Sequence, residues 1–245
     1  MTIYGLIGKT LHHSFSGRYF SEKFRSDEIK DTEYRNFELK DLGDELPLLK
    51  NNPEIKGLNV TIPYKTEIIP FLDELTEECR EINASNCIKI QDGKWIGFNT
   101  DIIGFEKSFV PFLKPYHKKA LILGTGGASN AVGFVLKKLN IEFLKVSREK
   151  NQDPSVISYD GINEEVMEEF KVVINTTPVG TSPNVNEYPK IPYEFITTHH
   201  YFFDLIYNPA KTLFLSFAEK QGAFIENGDK MLSIQAEESW EIWNG

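Results

Sequence analysis

The fold is decided by Leu121-Ile122-Leu123-Gly124-Thr125-Gly126-Gly127-Ala128-Ser129-Asn130-Ala131. The apolar start predicts a buried parallel strand, and apolar residues recur at helical spacing after the glycines, at Val132, Val135 and Leu139. A strand, a glycine turn and a helix can bind a pyrophosphate, because the backbone approaches closely and the N–H groups of the helix N-terminus face the anion. Ser129 replaces the third glycine of the strict pattern, so an ordinary turn remains the alternative.

The composition is that of a globular protein with a full core. The chain has 245 residues, 40% hydrophobic and 13% aromatic, enough for one large domain or two small ones. Lys and Arg number 27 against 36 Asp and Glu, a net charge of −9, and no basic block stands out. This balance argues against nucleic acid or an anionic membrane surface as a partner. An anionic ligand would need a local pocket.

The remaining composition features concern the compartment. The two cysteines, Cys79 and Cys87, do not indicate a disulfide framework, so a reduced compartment is expected. The start of the chain has no basic region followed by an apolar core, and no apolar run reaches membrane-spanning length. We therefore expect a soluble, cytoplasmic protein with no membrane partner.

The order of elements predicts two α/β domains. In the first half, short strands alternate with helices, and Asp92-Gly93 predicts a hairpin. In the second half, strands at 120–123, 143–146, 172–175 and 201–205 alternate with other segments, which predicts a Rossmann-type, doubly wound parallel sheet. A last helix from about Lys230 to Trp243 is expected to pack back on the first domain. The predicted domains are 1–101, completed by 227–245, and 102–226.

Polar residues of the first domain cluster at predicted element ends. Asn59-Val60-Thr61-Ile62-Pro63-Tyr64-Lys65 places polar side chains at the carboxyl end of a strand, where open α/β sheets bind ligands. Asn59 and Thr61 share a face by strand alternation, and Lys65 follows a rigid turn, although a surface lysine at a helix start is the simpler alternative. Asp101 precedes a predicted helix, so a helix cap or a partner of the helix dipole is an alternative role. Ser14 and Ser16, at another helix start, suit a carboxylate ligand, but Ser16 is also a natural N-cap.

Ser147-Arg148-Glu149 ends the second strand of the predicted parallel sheet. An NAD enzyme places an acidic residue there, on the ribose 2′-hydroxyl. Arg148 instead suits a 2′-phosphate, and this favours NADP, while a carboxylate at Glu149 would repel that phosphate. A solvated arginine at a strand end is the alternative.

Further polar motifs follow the later strands. Asn175-Thr176-Thr177-Pro178-Val179-Gly180 and Asp204-Leu205-Ile206-Tyr207-Asn208-Pro209 each begin at a strand end. Gly228 opens the last helix, where Met231 and Gln235 share a face. His199-His200 has no metal-ligand spacing, so no metal is expected.

Together these motifs resemble the shikimate dehydrogenase family along nearly the whole chain. Its His-Ser-x-Ser motif is similar to His13-Ser14-Phe15-Ser16, and its Asn-Val-Thr-x-Pro-x-Lys motif matches Asn59 to Lys65 without a gap. Matches in the family's order follow at Ala84-Ser85-Asn86, Asn99-Thr100-Asp101, the glycine loop, Asn175 to Gly180, Asp204-x-x-Tyr207-x-Pro209 and Met231-Leu232-x-x-Gln235.

The resemblance implies reversible, NADP-dependent reduction of 3-dehydroshikimate to shikimate in aromatic amino-acid biosynthesis, by a monomer or homodimer. It implies that Lys65 and Asp101 are the catalytic pair. Lys65 would donate a proton as the carbonyl oxygen gains charge, with orientation and charge stabilisation as its alternative role. The implied substrate-binding residues are Ser14, Ser16, Asn59, Thr61, Asn86, Tyr207 and Gln235. The implied cofactor-binding residues are Gly124, Gly126, Gly127, Ala128, Ser129, Ser147, Arg148, Thr176, Gly228 and Met231.

Some residues depart from the family's pattern. Thr10 and Gly17 stand where the family usually has proline, and Cys87 replaces a threonine. The family's Asn-Arg-Thr appears as Ser147-Arg148-Glu149, so use of NAD remains an alternative. The competing functions are a quinate-oxidising paralogue that accepts NAD, a folate methylene dehydrogenase and a non-catalytic dinucleotide sensor. A folate methylene dehydrogenase would not require the His-Ser-x-Ser motif. A non-catalytic dinucleotide sensor would not require both Lys65 and Asp101.

Overall fold

The computed structural model describes residues 1–11, 15–149 and 153–245, and it divides into two compact units. The first comprises Met1–Thr100 and Gln235–Gly245, and the second comprises Asp101–Ile234. The chain returns from the second unit to the first between residues 234 and 235, whereas the sequence predicts this boundary between residues 226 and 227. The reason is that the last helix begins in one unit and ends in the other.

The first unit is built on a mixed sheet in the order β2-β1-β3-β5-β6-β4. Strand β1 pairs in parallel with β2 and β3, and β5 pairs antiparallel with β3 and β6. Its strands are β1 Thr2–Gly8, β2 Thr32–Glu38, β3 Ile55–Val60, β4 Glu74–Leu75, β5 Cys87–Gln91 and β6 Lys94–Phe98. Its helices are α1 Phe15–Ser26, α2 Leu42–Lys50, α3 Tyr64–Glu67 and α4 Glu77–Ile82, and α5 Thr100–Phe109 begins at its boundary.

Local sequence explains where these elements turn and end. The predicted hairpin is present, and its turn residues Asp92 and Gly93 have φ of 52° and 77°, values that Asp and Gly tolerate. Strand β3 ends at Val60. Helix α3 is followed by a separate 3-10 turn at Ile69–Phe71, because Pro70 has no N–H to continue the α-helical ladder.

The C-terminal helix, α9 Asp229–Asn244, completes the core of the first unit. Its Trp243 stacks on Tyr4 with 4.7 Å between ring centroids and donates from Nε1 to Ile88 O at 3.1 Å. Gly57 lies under this indole, and any side chain there would collide with the ring. Residues Gln235–Gly245 are therefore an integral part of the first unit.

The second unit has the predicted parallel sheet, in the order β12-β11-β10-β7-β8-β9. The strand order reverses beside β7, as in a doubly wound fold, and the predicted fold class is confirmed. Its core is apolar on β7, β10 and β11, whose strand residues are buried from Ala120 to Leu123, Val172 to Asn175 and Tyr201 to Asp204. The strands are β7 Lys119–Leu123, β8 Glu142–Ser147, β9 Val156–Ser158, β10 Val172–Asn175, β11 Tyr201–Asp204 and β12 Phe224–Glu226. The helices are α6 Gly127–Lys138, α7 Glu164–Glu169 and α8 Leu213–Lys220.

Two further features of the described part of the chain concern its helices and its cysteines. No helix within the described ranges is both long and apolar enough to cross a membrane. Cys79 and Cys87 are both buried free thiols, and burial raises the pKa of Cys87 to about 12.

Candidate active site

Asn59 is the most firmly held of the polar residues in the first unit. Its Oδ1 accepts from Tyr34 Oη at 2.8 Å, and its Nδ2 donates to Ser239 Oγ at 2.8 Å and to Asn86 O at 3.4 Å. Tyr34 also hydrogen-bonds to Ser16, and burial raises the pKa of Tyr34. Ser239 Oγ donates onward to Gln235 O at 2.8 Å. One network thus connects four predicted substrate-binding residues: Ser16, Asn59, Asn86 and Gln235.

Thr61 lies on the turn after β3, and Lys65 lies in the short helix α3 that follows it. The amide of Thr61 donates to Ile7 O at 2.9 Å, and Thr61 O accepts from Tyr64 N at 2.9 Å. Tyr64 is buried and donates to Leu39 O at 2.6 Å, while Lys65 O accepts from Ser85 N at 2.8 Å. The backbone that carries Lys65 is therefore fixed on both sides, and its side chain is half-buried.

Asn86 caps the helix that carries Asp101. Its Oδ1 accepts from Thr100 N at 2.7 Å, and its Nδ2 donates to Thr100 Oγ1 at 3.1 Å. Because α5 begins at Thr100, Asp101 lies in the first turn and not before the helix, so its interpretation as a cap residue is wrong. A carboxylate in the first turn is favoured by the helix dipole, yet Asp101 is only 2% exposed, and carboxylates are rarely buried to that extent.

The His-Ser-x-Ser motif is described only in part. His13 and Ser14 lie outside the described residues. Helix α1 begins at Phe15, so Ser16 lies inside the first turn and is not the N-cap residue.

In the second unit, the glycine loop links β7 to α6. Gly124 has φ +115°, and a Cβ there would lie 2.7 Å from Thr176 Oγ1, which itself donates to Leu123 O at 2.7 Å. Gly126 is the N-cap residue of α6 and brings no capping side chain, and a Cβ on it would meet nothing within 4 Å. The first-turn residues Gly127 and Ala128 follow. This open helix N-terminus fits a dinucleotide pyrophosphate.

Ser129 takes the place of the third glycine without widening the space between α6 and the sheet. It is fully buried, and its Oγ donates to Gly126 O at 2.6 Å, inside the same turn. The hydroxyl is satisfied locally, and only a small side chain has to be accommodated.

The end of β8 presents the predicted cofactor-selecting residues. Ser147 pairs with Ser158 of β9, and its Oγ accepts from Glu149 N at 3.3 Å. Arg148 is exposed and lowers the pKa of the neighbouring Tyr159, although burial raises that pKa overall. Lys150 lies outside the described residues.

A buried polar network joins the ends of β10 and β11, and its internal bonding is not visible in the sequence motifs. Asp204 accepts from Asn175 Nδ2 at 3.0 Å, Ile206 N at 3.1 Å and Thr212 Oγ1 at 2.6 Å. Burial raises the pKa of Asp204 to about 6. The network fixes the loops that lead to Thr176 and Tyr207.

The remaining predicted residues lie near the start of α9. Gly228 donates to Ile206 O at 3.1 Å, and any side chain on Gly228 would collide with the backbone of Leu205. Met231 is buried, and Tyr207 is half-buried. His200 Nδ1 accepts from Thr197 N at 3.0 Å, and its Nε2 donates to Met167 O at 2.9 Å, so its role is structural. Among residues 1–11, 15–149 and 153–245, no cluster of three or more His, Cys, Asp or Glu side chains could hold a metal ion.

Comparison with known proteins places these features in a family. The family model described as shikimate dehydrogenase substrate binding domain matches residues 6–88. A shikimate dehydrogenase (NADP(+)) of Caldicellulosiruptor bescii is 38% identical, and the match covers 97% of this chain and 88% of that protein. The chain belongs to the shikimate dehydrogenase family.

Solved structures of shikimate dehydrogenases agree with this membership. The Aquifex aeolicus shikimate dehydrogenase is 34% identical with a TM-score of 0.87, covering 100% of this chain and 93% of its own. Another shikimate dehydrogenase, solved in complex with NADP+, is 30% identical with a TM-score of 0.87, covering 100% of this chain and 90% of its own. The resemblance based on the sequence motifs is confirmed.

Proposed function

We propose that this chain is an NADP-dependent oxidoreductase that reversibly reduces 3-dehydroshikimate to shikimate. One observation carries the proposal: the relative from Caldicellulosiruptor bescii, a shikimate dehydrogenase (NADP(+)), matches 97% of the chain at 38% identity. The reaction places the chain in aromatic amino-acid biosynthesis. A cytoplasmic location belongs to the same proposal, because NADPH is a cofactor of the cell interior.

The substrate is a carboxylate on a hydroxylated ring, and the first unit has matching groups. The hydroxyls of Ser14 and Ser16 bind the carboxylate in this proposal. The network around Asn59 supports a role in hydroxyl recognition, because Tyr34 and Ser239 fix both ends of its amide and leave its orientation no freedom. Thr61, Asn86, Tyr207 and Gln235 complete the proposed set of ring-binding residues.

The proposed proton chemistry belongs to Lys65, with Asp101 as the second catalytic residue. NADPH, when bound, supplies the hydride. As the carbonyl oxygen gains negative charge, Lys65 donates a proton to it, and in the oxidation of shikimate Lys65 accepts the hydroxyl proton. The backbone hydrogen bond from Ser85 to Lys65 supports this role, because a proton donor must be held in one position to act in the transition state.

The proposed cofactor site is the glycine loop with the end of β8. The N–H groups at Gly127 and Ala128 bind the pyrophosphate, and Thr176, Gly228 and Met231 line the remainder. Arg148 supports the choice of NADP, since a guanidinium suits a 2′-phosphate. A quinate dehydrogenase that accepts NAD is the alternative, and the names of the relatives do not favour it.

The test is spectrophotometric. Purified protein is mixed with shikimate and NADP+, and the appearance of NADPH is followed, with NAD+ and with quinate as separate arms. We expect shikimate-dependent reduction of NADP+ at a higher kcat/KM than in either other arm. A preference for NAD+ or for quinate would establish the paralogue instead, and no turnover in any arm would establish a non-catalytic protein.

A further inference from the structure

Lys145 is a lysine inside a sheet. It occupies the middle of β8, between β7 and β9, where it pairs with Ile122 on one side and Val156 on the other. Its side chain is half-buried. By strand alternation, it faces the same side of the sheet as Phe143 and Ser147. A lysine side chain is rarely buried in a sheet unless its ammonium group has a polar partner.

The ammonium of Lys145 is directed at the helix that follows the glycine loop. Its Nζ donates to Asn130 Oδ1 at 2.7 Å, and Asn130 N bonds to Gly126 O at 3.2 Å in the first turn of α6. The partner is a neutral amide oxygen and not a carboxylate, so the hydrogen bond orients the ammonium without neutralising its charge.

The surrounding electrostatics favour an added anion. Burial lowers the pKa of Lys145, repulsion from Lys137 lowers it further, and attraction to Asp153 opposes them. A dianion close to the ammonium would stabilise its charged form and so offset both the burial and the repulsion from Lys137 that lower the pKa of Lys145.

The position of Lys145 indicates which anion would bind beside its ammonium group. Ser147 lies two residues further along the same face, about 7 Å at the rise of a strand, and this is within the reach of a lysine side chain. In dinucleotide-binding sheets the end of the second strand faces the ribose 2′ position. Among the described residues at this end, Arg148 stands together with Glu149, whose charge opposes a phosphate, so these two leave little net positive charge.

We propose that Lys145 is a specificity-determining residue, which together with Arg148 supplies the positive charge that binds the 2′-phosphate of NADP. The inference rests on the proposed function and deepens it. Asn130 is then a positioning residue, which holds the ammonium over the first turn of α6.

The test measures binding without turnover. Adenosine 2′,5′-bisphosphate and 5′-AMP differ only by the 2′-phosphate, and each is titrated into the full chain by isothermal calorimetry. In Lys145→Met, which keeps the length of the side chain, we expect the bisphosphate to bind about tenfold more weakly or worse, with 5′-AMP unchanged. Lys145→Arg retains most of the preference.

Lys137→Met is the matched control, because it removes one positive charge from the last turn of α6, whereas Lys145 contacts Asn130 in the first turn. It leaves the affinity for both ligands as in the unmodified chain. If Lys145→Met binds both ligands as the unmodified chain does, or loses both equally, the proposal is overturned, the second case indicating a structural role only. Failure of shikimate-dependent NADP+ reduction would overturn the proposed function separately, since the calorimetry does not depend on turnover.

Discussion

The amide of Asn86 contacts Thr100 twice: Oδ1 accepts from Thr100 N at 2.7 Å, and Nδ2 donates to Thr100 Oγ1 at 3.1 Å. Both residues are buried, so water cannot replace either bond. The first N–H of α5 is thus satisfied by a side chain fourteen residues earlier in the chain. Since Asp101 follows Thr100 directly, this cap fixes the backbone on which a proposed catalytic carboxylate stands.

Asn86→Ala should therefore destabilise the protein and lower its turnover. Loss of the cap and of a second buried hydrogen bond should reduce the free energy of unfolding by about 2 kcal/mol, measured by urea denaturation. Thr100→Val is the comparison, because it removes the hydroxyl and keeps the N–H. It should lower the free energy of unfolding by about half as much as Asn86→Ala does. Equal costs for the two variants would show that the N–H cap contributes little.

Lys65→Ala should separate binding from chemistry. We expect kcat to fall by a factor of about 100 or more, because the developing oxyanion loses its proton donor. The Kd of shikimate, measured by calorimetry, should change little. Lys56→Ala, an exposed lysine on β3, is the control and should leave both quantities unchanged. Near-normal kcat in Lys65→Ala would remove Lys65 from the proton transfer.

Asp204 should make stability depend on pH in the opposite sense to an ordinary ion-paired carboxylate. Its pKa is raised from 3.8 to about 6, so the folded state binds the proton more tightly than the unfolded state. Its contribution to stability is greatest below pH 4, falls as the pH rises towards 6 and is constant above. Asp204→Asn abolishes this dependence. Between pH 4 and 7 the unfolding free energy of the unmodified chain should fall relative to the variant by about 2 kcal/mol.

That difference is measured by urea denaturation of both proteins across the pH series, which cancels the titration of all shared groups. A difference that stays constant, or that rises with pH, would contradict the raised pKa.

Alanine at the two loop glycines should give opposite phenotypes. Gly124→Ala forces a Cβ into a left-handed conformation and against Thr176, so it should lower the unfolding free energy by about 1–3 kcal/mol. Gly126 has φ −83° and free space around it, so Gly126→Ala should fold normally and yet bind NADP+ more weakly, because the methyl group obstructs the pyrophosphate. Thermal unfolding and calorimetric titration separate the two effects. Normal NADP+ affinity in folded Gly126→Ala would place the pyrophosphate elsewhere.

Much of the fold was predictable because its strands are long apolar runs with clear ends. Strand β10 has the predicted bounds, Val172–Asn175, since a buried run stops there at polar residues. Strands β4 and β9 were not predicted, because two and three residues carry no usable periodicity. Helix α5 begins at Thr100, whereas the sequence predicts that Asp101 precedes the helix, because the residue that caps it, Asn86, is not adjacent in sequence.

The same reason limits what could be predicted of the candidate site. The motif residues were found by their pattern, but the residues that hold them were not. Tyr34 and Ser239 both bond to Asn59, and Ser239 lies 180 residues away from it in the chain. No local pattern encodes such a contact. Lys145 belongs to none of the sequence motifs, and only the sheet pairing shows that this lysine lies between two strands.

The participation of α9 in the first unit has a consequence for synthesis. The ribosome delivers the sheet of the first unit early, but Trp243 comes after the whole of the second unit. Until then Tyr4, Phe20 and Gly57 lack the indole that covers them in the finished protein. The growing chain therefore carries an uncovered aromatic surface throughout translation of residues 101–234, and this surface is the natural target of chaperones that act on nascent chains.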